Sequence, residues 1–231
     1  MIVITAPTGN IGRRLLSLLA EAAPAHGEEL RVVVRDPARL PEGVRRRVDV
    51  VTGSHGDAAT VARAFAGAGP AGRVAHSSRG LQRLHPAGRG GLRDTADTDR
   101  RAPMVAAADI AAAAAGLLLE RSWSGVGSVP VLGPRDLSPH DLARLMTEEL
   151  GRPVRYERQS LDDLRATMLG HGLAEAFVEG MVDMKRAKDE GLDEGADRAS
   201  RAVVPGTDFA RWCARTLKPA VLAAPEATGG R

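Results

Sequence analysis

The first half of the chain alternates largely apolar runs with stretches of helical periodicity. Met1–Thr5, Leu30–Val34 and Val48–Val51 are short runs dominated by apolar residues, which is typical of strands buried on both faces of a parallel sheet. Asn10–Ala23 carries apolar residues at helical spacing, and Asp57–Ala66 is a second helical segment that begins with a capping residue. Strands separated by helices predict βαβ units and an α/β fold with a parallel sheet.

The second half is mainly helical and has clear start and stop signals. Ser138 and Pro139 fit an N-cap and the first helical position, and Gly151 fits the end of that helix. A small, mostly helical C-terminal lobe is therefore expected. Its remaining elements are a strand over Val154–Arg158, a helix opened by Ser160, a helix over Leu173–Glu190, and a helix over Asp208–Leu217 capped by Thr207.

Residues 67–103 interrupt this alternation with an irregular basic segment that contains seven arginines and no aromatic residue. Its one strand-like piece is Arg73–Ser77. We expect this piece to pair in parallel with Met1–Thr5, because a central strand with an unpaired edge leaves backbone groups unsatisfied. Residues 79–101 are then expected to form an irregular loop at the open edge. Homo-oligomerisation across that edge would supplement so short a strand.

Composition narrows the class of protein. With 231 residues and 43% hydrophobic residues, the chain can bury a sizeable core. A single cysteine, Cys213, excludes a disulfide framework, and the six histidines lack metal-ligand spacing. No apolar run is long enough to cross a membrane, and Met1–Ala6 lacks the basic residues of a secretory signal. We therefore expect a cytoplasmic protein with no metal.

The charge balance does not favour nucleic acid as a partner. Net charge is +3, with 29 arginines and only three lysines, a ratio more typical of a GC-rich coding sequence than of phosphate binding. A nucleic-acid surface would combine basic residues with stacking aromatics. The chain has six aromatic residues in all, and none lies between Phe65 and Trp123. A small-molecule partner is the better expectation.

The turn after the first strand carries the strongest functional signal. Gly9 and Gly12 are three residues apart, between a buried strand and an amphipathic helix. In a dinucleotide-binding turn, Gly9 would let the backbone approach a pyrophosphate and Gly12 would let the helix pack closely on the strand. Ala6 stands where the usual first glycine would be. The candidate cofactor-binding residues here are Ala6, Thr8, Gly9, Asn10, Ile11 and Gly12, with phosphates on the amide groups at the helix N-terminus.

Arg35 follows immediately after the second strand. NAD enzymes carry an acidic residue at this end for the ribose 2′-hydroxyl, whereas a nearby arginine accommodates the 2′-phosphate of NADP. A guanidinium matches a phosphate through paired charge-assisted hydrogen bonds. Asp36 could be the acid of an NAD enzyme, and Arg35 could be ordinary solvated surface. We expect NADP(H) to be preferred, with NAD(H) as the alternative.

Together with this turn, four phrases in chain order resemble the NmrA-like branch of the atypical short-chain dehydrogenases. They are Val34–Leu40, the helix opened by Asp109, Leu132–Ser138 and Leu150–Tyr156. The resemblance implies a doubly wound Rossmann domain over residues 1–125 and a C-terminal substrate-side lobe over 126–218. Residues 219–231 are small and polar enough to form a flexible tail. It also implies an NAD(P)H-dependent oxidoreductase of a small apolar carbonyl, quinone or enone. The family includes redox-sensing regulators as well, so a non-catalytic NADP(H) sensor is the alternative.

The chain departs from that family in its middle. The fourth strand and its helix are not found after Ala68, and later central elements are also missing before Pro103. Ser77 and Ser78 match the hydroxyl residues that end a family strand beside the nicotinamide, which makes them the candidate catalytic residues; the alternative is that they are ordinary turn-forming serines. The Tyr-x-x-x-Lys pair of short-chain dehydrogenases is absent, since Tyr156 is followed four residues later by Ser160.

Overall fold

The computed structural model describes residues 1–68, 86–87, 91–121, 123–125, 127, 129–192 and 206–223. The chain divides into two compact units. The first unit comprises Met1–Ser77 and Ala107–Val131, and the second comprises Ser78–Ala106 and Leu132–Arg231. The α/β fold expected from the sequence is confirmed, with parallel strands and helices in each unit.

The first unit is built on a parallel sheet in the order β1-β2-β3, within the residues described. The strands are β1 (Ile2–Ile4), β2 (Leu30–Val34) and β3 (Asp49–Thr52). Ile2 pairs with Leu30, and Val32 pairs with Val50. The helices are α1 (Asn10–Ala22), α2 (Glu42–Arg45), α3 (Ala58–Phe65) and α4 (Ala107–Glu120).

Both faces of β2 are covered, as a doubly wound sheet requires. Val32 and Val34 lie in the hydrophobic core with Leu16 and Leu19 of α1, and α1 packs against α4. Alternate residues of a strand point to opposite faces, so Arg31 and Val33 face the other way. The guanidinium of Arg31 reaches the carbonyl oxygens of Ala64 and Ala66 at 3.0 and 2.7 Å, at the C-terminal end of α3.

The second unit contains a mixed sheet and most of the helices. Strand β5 (Gly91–Asp94) pairs antiparallel with β4 (Pro86–Ala87) and parallel with β8 (Arg155–Arg158). A separate antiparallel pair joins β6 (Ala102–Pro103) and β7 (Asp136–Leu137).

The helices of this unit are α5 (Pro139–Leu150), α6 (Leu161–Gly170), α7 (Glu175–Asp189), α8 (Phe209–Trp212) and α9 (Lys218–Ala223), with a π-helical turn over Cys213–Leu217. Their core is formed by Leu92 of β5, Leu142 and Met146 of α5, and Phe209 and Cys213.

Three sequence-based expectations need correction. Residues 91–94, predicted to be part of an irregular loop over 79–101, form β5 because they pair with β8. The N-cap of the last helix is Asp208, not Thr207, because the Asp208 carboxylate accepts a hydrogen bond from the amide of Ala210 at 3.0 Å. The last helical segment also continues to Ala223, beyond the predicted end at Leu217.

Two further expectations lie outside the described residues. The predicted strand Arg73–Ser77, with its pairing to β1, falls there entirely. Most of the stretch in which the fourth family strand and its helix were judged missing falls there too. Both remain predictions.

Candidate functional site

The glycine turn joins the end of β1 to the start of α1. Gly9 is the N-cap residue of α1, with extended backbone angles, and its amide donates to the carbonyl oxygen of Ala6 at 3.3 Å. Among the described residues, Arg121 alone of the non-glycine residues has a positive φ. Ala6 therefore does not need the freedom of a glycine, which explains how this turn tolerates alanine at that position.

Gly12 is required by the packing of α1 on the turn. A Cβ atom on Gly12 would lie 1.8 Å from the carbonyl oxygen of Ala6, far inside van der Waals contact. A Cβ atom on Gly9 would lie 3.5 Å from the same oxygen, which is an ordinary contact. Contacts among the described residues thus account for Gly12 but not for Gly9, and a ligand that approaches the backbone closely would account for Gly9.

The N-terminus of α1 has amide groups that bind no other group among the residues the structure describes. The first backbone bond of the helix runs from the amide of Arg13 to the carbonyl oxygen of Gly9 at 2.9 Å. No side chain of a described residue caps the helix, and its first turn contains no acidic residue. The amides of Asn10, Ile11 and Gly12 therefore remain as donors, at the positive end of the helix dipole.

Three other helix starts, those of α3, α5 and α6, have side-chain caps, whereas α2 and α7 start without one, as α1 does. Asp57 caps α3 by accepting from the amide of Thr60, while Ser138–Asp141 and Ser160–Asp163 form capping boxes on α5 and α6. Each of these starts has a protein oxygen and a carboxylate beside it. At α1 those groups are absent, which leaves this N-terminus suited to a bound anion.

Arg35 and Asp36 differ in what they contact after β2. The Asp36 carboxylate accepts from the amide of Ala38 at 2.9 Å and caps the 3-10 turn Pro37–Arg39. Arg35 is exposed and has no hydrogen bond or ion pair with any residue that the structure describes. The acid is therefore partly occupied by the local backbone, whereas the guanidinium is available to a ligand.

The candidate catalytic residues Ser77 and Ser78 lie outside the described residues. Tyr156, the only tyrosine, is described and is not free. Its hydroxyl is 2.6 Å from the carbonyl oxygen of Ala96 and 3.1 Å from that of Asp94. Burial and the neighbouring Asp94 carboxylate raise the pKa of the phenol well above its ordinary value. A phenol held in this state is a poor general acid.

Around Tyr156 the structure assembles a charged cluster that the sequence did not indicate. Asp94 and Lys185 form an ion pair at 2.5 Å, with both side chains less than 15% exposed. Asp189 lies 3.7 Å from Arg100, and burial raises the pKa of the Asp189 carboxyl. These residues come from separate parts of the sequence, so no local motif could have grouped them.

The parallel order β1-β2-β3, the glycine turn and the flanking helices define a Rossmann-type fold of the kind found in NAD(P)-binding reductases and epimerases. No family model and no curated protein matches the sequence. Within the part of the chain that the structure describes, no helix has the length and apolar character needed to cross a membrane.

Solved structures with the same fold include a Citrobacter sp. triphenylmethane reductase complexed with NADP(H), with a TM-score of 0.65 at 15% identity, covering 91% of this chain and 98% of that one. The Escherichia coli quinone oxidoreductase QOR2 complexed with NADPH gives a TM-score of 0.59 at 20% identity, covering 91% and 97%. A mutant of NmrA gives 0.57 at 13% identity, covering 94% and 95%. Identities this low establish a common fold and no more.

Proposed function

We propose that the chain is an NADP(H)-dependent oxidoreductase that acts on a small apolar carbonyl, quinone or enone. The observation that carries the proposal is the N-terminus of α1, where the amides of Asn10–Gly12 have no partner among the described residues, beside a turn that needs Gly12 for close packing. Support also comes from neighbours of the same fold, since triphenylmethane reductase and QOR2 were each solved with NADP(H) or NADPH.

The residues of the turn fit a dinucleotide. In the proposed complex, the backbone at Ala6, Thr8 and Gly9 lies along the pyrophosphate, and the amides of Asn10, Ile11 and Gly12 donate to it. Arg35 binds the 2′-phosphate and gives the preference for NADP(H) over NAD(H), because a guanidinium pairs with a phosphate dianion. The bound nicotinamide would supply the hydride, and the protein would supply orientation and an apolar surface.

The hydroxyl groups of Ser77 and Ser78 are proposed to contact the reacting oxygen of the substrate. Tyr156 is not proposed for that role, since its hydroxyl is hydrogen-bonded to backbone carbonyls and its pKa is raised.

A second candidate function is a non-catalytic NADP(H)-sensing regulator. The observation that favours it is the same state of Tyr156, together with Ser160 as the N-cap of α6 at the position where a Tyr-x-x-x-Lys pair would have its lysine. A protein that needs only to bind the dinucleotide has no use for a general acid.

One pair of measurements separates the two functions. The full chain is titrated with NADPH and with NADH by calorimetry, and NADPH oxidation is then followed against a panel of quinones, enones and apolar aldehydes. Tighter binding of NADPH with turnover on one or more acceptors supports the oxidoreductase. Tight binding with no turnover on the panel supports the sensor, and absence of binding overturns both.

A further inference from the structure

Helices α6 and α7 form a helical hairpin, Leu161–Asp189, whose two halves are joined to each other. Among the described residues, each of the two helices contacts the other more extensively than it contacts any other helix or strand. Arg165 of α6 forms an ion pair with Glu179 of α7. The connection between the helices is a tight turn, in which the amide of Gly172 donates to the carbonyl oxygen of Leu169 at 2.8 Å. The hairpin can therefore move as one body.

The hairpin buries little apolar surface against the rest of the second unit. Within the described chain no residue of α6 is buried, and the buried apolar side chains of α7 are Val178 and Val182. Three apolar side chains around the tip remain 41%, 41% and 55% exposed, namely Leu169, Leu173 and Phe177. Few buried apolar contacts are typical of segments that open at a free-energy cost well below that of global unfolding.

One buried ion pair anchors α7 to strand β5. Lys185 Nζ donates to Asp94 Oδ1 at 2.5 Å, and both side chains are less than 15% exposed. Further along α7, Asp189 lies 3.7 Å from Arg100, which is longer than a hydrogen bond. Removal of one partner costs far more in a buried pair than in an exposed one. The Asp94–Lys185 pair is therefore the contact best placed to hold the hairpin against β5.

A buried hydroxyl beside this anchor opposes the closed arrangement. Thr95, next to Asp94 in the chain, is 3% exposed, and its hydroxyl has no hydrogen-bond partner among the residues described. A buried hydroxyl without a partner costs free energy, which is recovered when water reaches it. Thr95 and Asp189 of α7 line the same pocket. Movement of α7 away from β5 would therefore admit water to the Thr95 hydroxyl.

The hairpin forms one wall of that pocket, which has a volume of about 410 Å³. Leu161 and Asp189 belong to the hairpin, whereas Thr95 and Arg158 belong to the ends of β5 and β8 on the opposite wall. Directly after α7, Gly191 has a φ of +102°, a conformation that favours glycine. Small residues at the ends of elements often serve as hinges, and this one lies close to the pocket in the chain.

We propose that the α6–α7 hairpin is a gate over this pocket, which opens as one body and is held shut by the Asp94–Lys185 ion pair against the cost of the buried Thr95 hydroxyl. Opening widens the pocket and exposes the end of β5, so access to this part of the second unit depends on one ion pair. The gate does not rest on the proposed oxidoreductase, and its tests need no cofactor.

Hydrogen exchange at the backbone amides of the full chain, followed by mass spectrometry under native conditions, is the first test. The amides of α6 and α7 should exchange together, with protection at least tenfold lower than that of α5, whose Leu142 and Met146 lie in the core. Protection of α6 and α7 equal to that of α5 overturns the proposal, because the hairpin would then open only when the whole unit unfolds.

Lys185→Met tests the ion pair by removing the anchoring cation. Exchange of both helices should become roughly a hundredfold faster. The control Arg93→Met breaks an exposed pair with Glu157 between β5 and β8, outside the hairpin, and should leave the exchange of α6 and α7 unchanged. Exchange of the hairpin at the parent rate in Lys185→Met would show that the pair does not hold the gate shut and would overturn the proposal.

Thr95→Val tests the opposing hydroxyl at nearly constant shape. Exchange of α6 and α7 should slow roughly tenfold, because the closed gate no longer buries an unpaired hydroxyl, and the urea midpoint should stay the same or rise. In the control Thr147→Val, the removed hydroxyl of α5 donates to Ala143 and accepts from Val154, each at 2.9 Å. That variant should speed exchange of α5 and leave α6 and α7 unchanged. An unchanged hairpin in Thr95→Val, or a hairpin that follows α5 in Thr147→Val, overturns the gate.

Discussion

Gly12 and the carbonyl oxygen of Ala6 leave no room for a side chain between them, since a Cβ atom on Gly12 would lie 1.8 Å from that oxygen. The same helix start has three amides with no partner in the part of the chain that the structure describes. The close approach brings α1 onto the end of β1, and the free amides then lie at the turn. Packing and the proposed phosphate site thus depend on one glycine.

The first prediction is that Gly12→Ala lowers both the stability of the fold and the affinity for NADPH. The new methyl group has to displace backbone, not a flexible side chain, and overpacking of this kind costs about 1–3 kcal/mol of unfolding free energy. NADPH affinity should fall by roughly tenfold or more because the amides move. Urea unfolding and calorimetry measure the two effects. A variant as stable as the parent would contradict the close packing of α1 on Ala6.

Gly9→Ala is predicted to lower the affinity for NADPH with less effect on stability than Gly12→Ala. Gly9 has φ −70° and ψ 169°, which alanine adopts without strain, and its added Cβ would be 3.5 Å from Ala6. Stability should fall by about 0.5–1 kcal/mol, because alanine is a poorer N-cap residue than glycine. NADPH affinity should still fall by roughly tenfold, since the methyl group occupies the approach of the pyrophosphate. Unchanged affinity would remove Gly9 from the proposed site.

Arg35→Ala should change cofactor preference without changing stability. The side chain is exposed and has no partner in the described protein. Loss of its charged hydrogen bonds should weaken NADPH by about 1.5–3 kcal/mol and leave NADH nearly unchanged. Arg155→Ala, at an exposed position of β8, is the control for net charge. It should change neither the affinity for NADPH nor that for NADH. Equal losses of affinity for NADPH and NADH would show that Arg35 does not bind the 2′-phosphate.

The elements of the first unit were predictable because their signals are local. The observed β2 has the predicted bounds Leu30–Val34, and α1 ends one residue before the predicted Ala23. Strand β3 is shifted by one residue, to Asp49–Thr52. In each case the signal is the apolar pattern of the element together with the turn residues that flank it. Neighbouring positions in the sequence are therefore enough to predict the element.

Strand β5 could not be predicted in this way. Its sequence Gly91–Asp94 has one buried apolar side chain, Leu92, and Gly and Asp are poor strand formers. It is a strand because β8 lies beside it, and β8 is about sixty residues further along the chain. The ion pair Asp94–Lys185 depends on the same long-range arrangement.

The sequence also could not decide which of two neighbouring residues, Thr207 or Asp208, is the N-cap. Thr207 and Asp208 can both cap a helix. Asp208 takes the role because its backbone is extended and its carboxylate reaches the amide of Ala210. At Ser138 and Ser160, where an aspartate follows three residues later, the predicted cap is confirmed as a reciprocal capping box.

The Asp94–Lys185 ion pair is predicted to be important for stability. Lys185→Met removes the cation and leaves the Asp94 carboxylate, only 14% exposed, with no opposite charge at 2.5 Å. Removal of one partner from such a pair should cost about 3 kcal/mol of unfolding free energy. The control is Arg93→Met, which breaks an exposed pair with Glu157 between β5 and β8 and should cost at most about 0.5 kcal/mol. Equal costs in urea unfolding would contradict the difference in burial.

The last prediction concerns the pH dependence of stability and Asp141. The backbone amide of Ser138 donates to Asp141 Oδ2 at 3.1 Å, and this bond, with the Ser138 hydroxyl and the Arg101 guanidinium, holds the carboxyl pKa below its ordinary 3.8. A carboxylate with a lowered folded-state pKa stabilises the fold above its unfolded-state pKa, and that contribution disappears as the pH falls through the folded-state value. Asp141→Asn should therefore cost about 1 kcal/mol at neutral pH, and its difference from the parent should shrink once the pH drops below 3.8.

Urea unfolding at a series of pH values measures this difference directly. Asp162→Asn is the matched control, because Asp162 is also an acid in the first turn of a helix but is not the capping-box partner of Ser160, which is Asp163. The control should show a smaller difference from the parent at neutral pH, since no capping bond is lost. If the Asp141→Asn difference stayed constant from neutral pH to well below 3.8, the hydrogen bonds of Asp141 would not distinguish its charged form from its protonated form, and they could not be the cause of its lowered pKa.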